Sequence, residues 1–333
     1  MDNLSILSLV NLKSSRLSLK RNLFGVKPEC EDKGLTLLLR PYLESLSIEP
    51  KPDKVNLRVA LELARLAGIA YSDPPPVSDV AARLQSPNTG SGCDRFRLEG
   101  SLIRSSKFLR DTEVFVAYNA HHEIVIAFRG TETKSMGALR DLFTDLGFTK
   151  TTYERRRRSG GKLNRLHRKF YQAYCDVQDD LVRRIWKLID KLGDPSPRLY
   201  FTGHSLGGAL ATIAALDFAV RADDGDNSFP REHPITLYTF GSPRVLSHNM
   251  VKNLFSPLVS HSFAMANDND PITGLPPVSS HRFRFSHINH VVVLASGGSF
   301  EILPGDKYRG KWISTGGHGI ADYRSRLEKG LRR

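Results

Sequence analysis

Apolar residues recur at helical spacing in several stretches. In 55–73, Val59, Leu61, Leu63, Ala64, Leu66 and Ala67 mark one face of a helix, and DPPP stops it. In 167–194, Val177, Leu181, Ile185, Leu188, Ile189 and Leu192 repeat the pattern, with Gly193 placed as a C-terminal stop. LGGALATIAALDFAVRA, 206–222, predicts an alanine-rich helix, and ALRDLFTDLGF, 138–148, a short amphipathic one. Between these lie β-rich runs. Residues 112–131 read as two strands around NAHH, a hairpin. RLYFTG, 198–203, is a buried strand; ITLYTFGSPRV, 235–245, is a strand with a glycine exit. SHSFAMANDNDPI, 260–272, is a strand followed by polar residues. HRFRFSHINHVVVLAS, 281–296, predicts a closing hairpin, and TGGHGIADYRSRLEKGL, 315–331, a last loop. Strands alternating with helices imply a mainly parallel α/β sheet covered on both faces, made mixed by the N-terminal hairpin.

Residues 1–54 separate from this pattern at the linker SIEPKPDK, which leaves 55–333 as the folded unit. No apolar run reaches the ~20 residues of a membrane span. The chain of 333 residues carries a formal charge of +13. Much of it is local: Glu154 to Phe170 holds eight Lys or Arg and one acid, a net of +7. That stretch is either a solvated basic loop or a patch for an anionic partner, with Arg155, Arg156, Arg157 and Arg158 at its centre. A nucleic-acid partner is not expected, because no zinc-finger spacing, RNA-binding signature or helix-turn-helix pattern accompanies it. Cys30, Cys93 and Cys175 are scattered and odd in number, without metal spacing. They point to an intracellular, reducing compartment, cytoplasmic or peripheral at a membrane, the alternative being a single disulfide with one free thiol. Residues 1–27 are basic and serine-rich, with the apolar part ahead of the basic one, the wrong order for a secretory signal. A flexible arm, an organelle-targeting segment and a membrane-surface anchor are the roles open to them.

The chemistry centres on Gly203-His204-Ser205-Leu206-Gly207, the G-x-S-x-G pattern at a strand-to-helix turn. Such a turn holds a serine hydroxyl clear of the sheet, and glycine on both sides removes Cβ clashes. A phosphate-binding loop is excluded, since no Lys-Ser or Lys-Thr follows the glycines. A serine needs a base, and the base an orienting carboxylate, in the chain order Ser, acid, His. The acid is Asp270 or Asp268, both just past a strand, with Asp270 favoured beside Pro271. Of His281, His287, His290 and His318, the first three sit in or beside β-rich sequence and read as structural. His318, in a glycine-rich loop after the last strand, is the expected base.

At this point the sequence resembles the class 3 lipases, the fungal-type triacylglycerol lipases and their plant and microbial relatives. The resemblance covers about 55–325. It rests on IVIAFRGT (124–131), LRDLFTDLGF (139–148), HRKFYQAY (167–174), YFTGHSLGGALA (200–211), LYTFGSPRV (237–245), NDNDPITGLPP (267–277) and HGIADY (318–323), in that order. It implies an α/β-hydrolase fold with a lid segment, and a Ser205–His318–Asp270 triad. It implies an oxyanion hole at Thr131 and the backbone N–H of Leu206. The lid would fall near 132–148, with Leu139, Leu142, Phe143 and Leu146 facing the acyl groove when closed. Three departures bear on location and substrate: Lys169 stands where the family usually has glycine, the basic run is heavy, and the export signal and paired cysteines of secreted fungal members are absent.

The implied activity is hydrolysis of carboxylic esters of lipids, acylglycerol or phospholipid, through an acyl-serine. It calls for no metal or organic cofactor. The competing reading is a catalytically inactive lipase-like scaffold that binds partners.

Overall fold

The computed structural model describes residues 54–71, 77–84, 96–106, 112–131, 137–138, 141, 145, 147–154, 164–194, 196–224, 234–277, 284–310 and 316–333. Most of the arm 1–54, Cys30, Cys93, the four arginines 155–158, His281 and the lid side chains Leu139, Leu142, Phe143 and Leu146 lie outside the described residues.

Strands β1 (Arg97–Leu98) and β2 (Ile103–Ser105) both pair antiparallel with β3 (Thr112–Tyr118). The predicted hairpin is β3 with β4 (Glu123–Phe128). From β4 onward the sheet runs parallel through β7 (Arg198–His204), β8 (Ile235–Phe240), β10 (His261–Asn267) and β12 (His290–Leu294). An antiparallel edge strand, β13 (Phe300–Pro304), completes it. A second, four-stranded sheet joins β5 (Lys150–Thr152), β6 (Arg165–His167), β9 (Leu246–Ser247) and β11 (Phe285–Ser286) in the order β11-β9-β6-β5.

Alternation of side chains puts Val114, Val116, Ile124, Ile126 and Phe128 in one apolar core, and Phe115, Ala117, Val125 and Ala127 in the other. The first core is closed by α3 (Arg168–Leu192) and α4 (Leu206–Asp223). The second is closed by α1 (Leu57–Ile69) and α5 (Ile320–Leu331). A further helix, α2 (Val77–Leu84), contributes Val80 and Leu84 to the second core. In α4 every residue from Leu206 to Arg221 is buried, which its alanine-rich sequence permits. Asn56 caps α1, its Oδ1 accepting from the N–H groups of Arg58 and Val59. Gly193 ends α3 in the left-handed region at φ 61°.

Two expectations need correction. Residues 281–296 do not form a closing hairpin. Phe285 and Ser286 pair with β9 in the small sheet, and the hairpin partner of β12 is β13, across a turn closed by Ala295 N–H donating to the Ser299 carbonyl. The apolar run 291–294 is a strand buried between sheet neighbours, and its parallel partner β10 is remote in sequence, so no local signal reports it. The last loop is shorter than expected: it ends at Gly319, and α5 follows. Tyr323 and Leu327, four residues apart, pack that helix against α1.

Two histidines stay neutral in the folded interior. His167 donates from Nε2 to the Gly147 carbonyl at 2.7 Å, stacks on Phe170, and is pushed down to about 4 by burial. His287 bonds the Thr273 carbonyl at 2.8 Å and is pushed down to about 3 by burial and by the neighbouring Arg244. The ordinary value is 6.5. Below it the unfolded chain binds protons that the folded chain refuses. Stability is therefore fully present above about 6.5 and is lost as pH falls towards 4 and then 3, by up to ~1.4 kcal/mol per pH unit for each histidine. Urea unfolding at pH 7 and pH 5 checks this. His287→Gln keeps an N–H donor without the titration, and is expected to lose less stability across that interval than the wild type. An equal loss would contradict the assignment.

Candidate active site

The parallel strands β4, β7, β8 and β10 end on one edge of the sheet, and the predicted residues gather there. Strand β7 stops at His204. Ser205 follows at φ 55°, ψ −124°, a conformation that a side-chain-bearing residue rarely adopts. Its N–H donates to the Phe240 carbonyl at 2.9 Å, extending the ladder to β8 by one residue. Helix α4 then starts at Leu206, whose N–H, in the first turn, has no intrahelical acceptor. The turn requires close approach. A Cβ on Gly203 would stand 2.3 Å from the Gly207 carbonyl, and one on Gly207 2.2 Å from the Phe128 carbonyl. Both glycines expected from the pattern are therefore steric necessities.

Asp270 lies in the turn after β10, its N–H donating to the Asn267 carbonyl at 3.0 Å. The carboxylate is fully buried and accepts three hydrogen bonds. Oδ1 takes the N–H of Ile272 at 2.9 Å; Oδ2 takes Nδ1–H of His318 at 2.9 Å and the hydroxyl of Tyr323 at 2.5 Å. Burial and the Asp270 charge push the Tyr323 phenol well above its ordinary range, so it remains a donor. Asp268, the other candidate acid, points elsewhere and pairs with Arg326 at 2.7 Å.

His318 is buried beside α5, at the end of the loop that precedes it. With Nδ1–H engaged by Asp270, its Nε2 is left as an acceptor. Among the buried atoms of this edge that have no hydrogen-bond partner in the described residues are His318 Nε2 and Ser205 Oγ. They lie over neighbouring positions. Ser205 bonds Phe240, and a Cβ on the next residue, Gly241, would run into both Asp270 and His318. Of the structural histidines, His287 is buried against Thr273 and His290 opens β12. Thr131 follows β4 by three residues and is half-buried.

The loop bearing Asp270 is held by Arg244. This buried guanidinium donates to the carbonyls of Gly274, Pro276, Tyr308 and Arg309, and burial pushes it down to about 10. Among the described residues no group of three His, Cys, Asp or Glu is placed to hold a metal ion.

Sequence reasoning missed several groups that shape this site. Tyr323 was inside the quoted HGIADY without a role. Gly241 was read only as a strand exit, although a glycine directly after a strand at this edge is itself a signal of close approach. Arg244 in GSPRV and Tyr71 after α1 gave no local signal, because their partners are distant in sequence.

The model of the family described as "Lipase (class 3)" matches residues 125–280. Among curated proteins, the chain is 31% identical over 183 residues to a lipase of Rhizomucor miehei, covering 55% of this chain and 45% of that one. It is 30% identical over 160 residues to secreted mono- and diacylglycerol lipase 1 of Fusarium solani (48% and 41%). It is 31% identical over 162 residues to the chloroplastic phospholipase A(1) DAD1 of Arabidopsis thaliana (47% and 34%). The chain thus spans less than half the length of these relatives. Among solved structures, lipase II from Rhizopus niveus superposes with TM-score 0.57 at 21% identity, covering 77% of this chain and 86% of that one. The lipase from Rhizopus microsporus var. chinensis gives TM-score 0.57 at 21% identity, over 83% and 91%. The fold is that of the α/β-hydrolase lipases.

Gly241 is at φ +60°, and a Cβ there would lie 2.8 Å from Asp270 Oδ2 and 3.0 Å from His318 Cε1. Gly241→Ala is expected to lose about 1–2 kcal/mol of stability from the left-handed backbone alone. It should also disturb the Asp270–His318 hydrogen bond. Urea unfolding and the downfield proton resonance of His318 Nδ1–H check this. An unchanged resonance would contradict the contact.

Proposed function

We propose that this chain, whose residues 125–280 match the model of the family described as "Lipase (class 3)", hydrolyses lipid carboxylic esters through an acyl-serine intermediate. The observation that carries the reading is the buried Asp270–His318 pair at the same sheet edge as the strained Ser205, with His318 Nε2 and Ser205 Oγ both left without a hydrogen-bond partner among the described residues.

His318 Nε2 takes the proton of Ser205 Oγ as that oxygen attacks the acyl carbonyl. Asp270 holds the ring orientation and stabilises the imidazolium. The carbonyl oxygen becomes an oxyanion, stabilised by Thr131 and the N–H of Leu206 at the start of α4. Imidazolium returns the proton to the leaving alcohol as the C–O bond breaks. Water, deprotonated by His318, then attacks the acyl-serine; a second collapse releases the fatty acid and restores Ser205. Acylglycerol and phospholipid esters are the substrate classes. Support comes from the names of the relatives, which include mono- and diacylglycerol lipases and phospholipases A1. The segment 132–148 is the proposed lid, supported by the resemblance and by the apolar Leu139, Leu142, Phe143 and Leu146.

An anionic membrane surface is the proposed second contact, through Arg155, Arg156, Arg157 and Arg158. A reducing compartment is the proposed location, resting on the three scattered cysteines, odd in number and without metal spacing. The relatives' names include secreted and chloroplastic proteins, and among the described residues no helix is long and apolar enough to cross a membrane.

Ser205→Ala is expected to cut turnover of a diacylglycerol or phosphatidylcholine by on the order of 10⁶-fold while the protein stays folded. Equal rates for variant and wild type would sink the enzyme reading and favour a lipid-binding scaffold. Replacing the four arginines 155–158 by glutamine is expected to weaken sedimentation with phosphatidylserine vesicles and to spare turnover of a short-chain soluble ester. Unchanged sedimentation would return that run to a solvated loop.

A further inference from the structure

His204 occupies the position that the G-x-S-x-G pattern leaves unspecified, yet it is one of the most constrained side chains at this edge. It is buried. Its Nε2 hydrogen-bonds the backbone carbonyl of His318, and its Nδ1 lies 2.6 Å from the hydroxyl of Tyr71. A carbonyl can only accept, so Nε2 carries the proton. In a neutral ring, Nδ1 is then an acceptor, which the Tyr71 O–H fills. Neutrality has a physical cause: burial first, then the neighbouring His318, pushes His204 well below the ordinary range. The two imidazoles face each other with centroids 4.6 Å apart.

Tyr71 also reaches the loop that bears the proposed oxyanion donor. A Cβ on Gly130 would come within 1.9 Å of the Tyr71 hydroxyl oxygen and 2.4 Å of the His204 carbonyl. One phenol therefore stands against Gly130, next to Thr131, and against His204, next to Ser205. On the other side, the carbonyl before His318 is held as well: Asn267 Nδ2 donates to the Gly317 carbonyl at 2.7 Å. The His318 ring is oriented by Asp270, but its height above the serine depends on where its backbone sits. That backbone hangs between Asn267 on β10 and His204, the residue bonded to Ser205.

We propose that Tyr71 and His204 are positioning residues for the hydrolysis argued above: the Tyr71 hydroxyl fixes the His204 tautomer, and His204 fixes the His318 backbone relative to Ser205. The distance between nucleophile and base is set across a single peptide unit instead of through the sheet. A neutral His204 also keeps a second positive charge away when His318 becomes imidazolium. The inference rests on the serine-hydrolase reading for its kinetic consequence. Its tautomer assignment does not depend on that reading.

The test uses the full chain and three conservative variants. Tyr71→Phe removes only the hydroxyl. His204→Gln places an amide N–H near the position of Nε2, and His204→Asn places its polar atoms near Nδ1 and loses the His318 contact. With p-nitrophenyl butyrate, kcat is expected to fall about tenfold in Tyr71→Phe, as one lost hydrogen bond would give. It is expected to fall about 100-fold in His204→Asn, as a misplaced base would give. His204→Gln should recover a substantial part of that loss, and KM should stay within twofold throughout, since none of these side chains is placed against the ester. Nitrogen-15 chemical shifts of the wild-type imidazoles should show His204 protonated at Nε2 and not at Nδ1. A His204 protonated at Nδ1, or kcat within twofold of wild type in folded Tyr71→Phe and His204→Asn, would overturn the proposal. Turnover that survives Ser205→Ala would instead overturn the hydrolase reading and leave the tautomer result to be judged alone.

Discussion

The rest of the site depends on one steric constraint, the contact between the end of β7 and the first turn of α4. Helix α4 enters so close to the sheet that only hydrogen fits at Gly203 and Gly207, and Ser205 is driven to φ 55°. Such a backbone costs on the order of 1–3 kcal/mol. Burial of Leu210, Ile213, Leu216 and Phe218 on α4 contributes about 1.5–3 kcal/mol each and outweighs it several-fold. The strain therefore persists because α4 has nowhere else to put its apolar surface. Its consequence is a hydroxyl left without a partner among the described residues in a buried position, an arrangement that folding alone does not favour.

Buried charge around this contact is consistently met by fixed hydrogen-bond donors or acceptors. Asp217, inside α4, accepts from Tyr153, Tyr174, Gln178 and Arg221. Asp270 accepts from Tyr323, His318 and a backbone N–H. Arg244 does the converse, a cation held by carbonyl oxygens. Unpaired, each of these groups would carry a desolvation penalty of several kcal/mol. Paired, each ties a loop or a helix to the sheet. The Arg244 ties bind the turn of Asp270 to the 308–309 segment, upstream of His318 in the chain. Asp270 and His318 are thus anchored to the same scaffold as Ser205.

Much of this was legible in the sequence, and the reason is locality. The serine turn is a five-residue pattern with a steric cause, so Ser205, Gly203 and Gly207 were readable directly. The helices α1 and α3 announced themselves by periodicity and by Gly193. The edge of the sheet was harder. Strand β12 pairs with β10 and β13, and nothing in 281–296 states that Phe285 and Ser286 leave for another sheet. Helix α5 was hidden by the glycines before it and by its short apolar stripe of Tyr323 and Leu327. Between Asp270 and Asp268 the sequence leaned one way, and the geometry separates them: one faces His318, the other Arg326. Tyr71, 133 residues from His204, could not have been connected to the site by any local rule.

The central claim is that Ser205 is an activated nucleophile. The most direct measurement is reaction with a fluorophosphonate in the presence of lipid vesicles, with the adduct located by mass spectrometry. The account predicts a single adduct on Ser205 that is lost in His318→Ala. Folded wild-type protein that forms no adduct, or one that labels equally without His318, would contradict it.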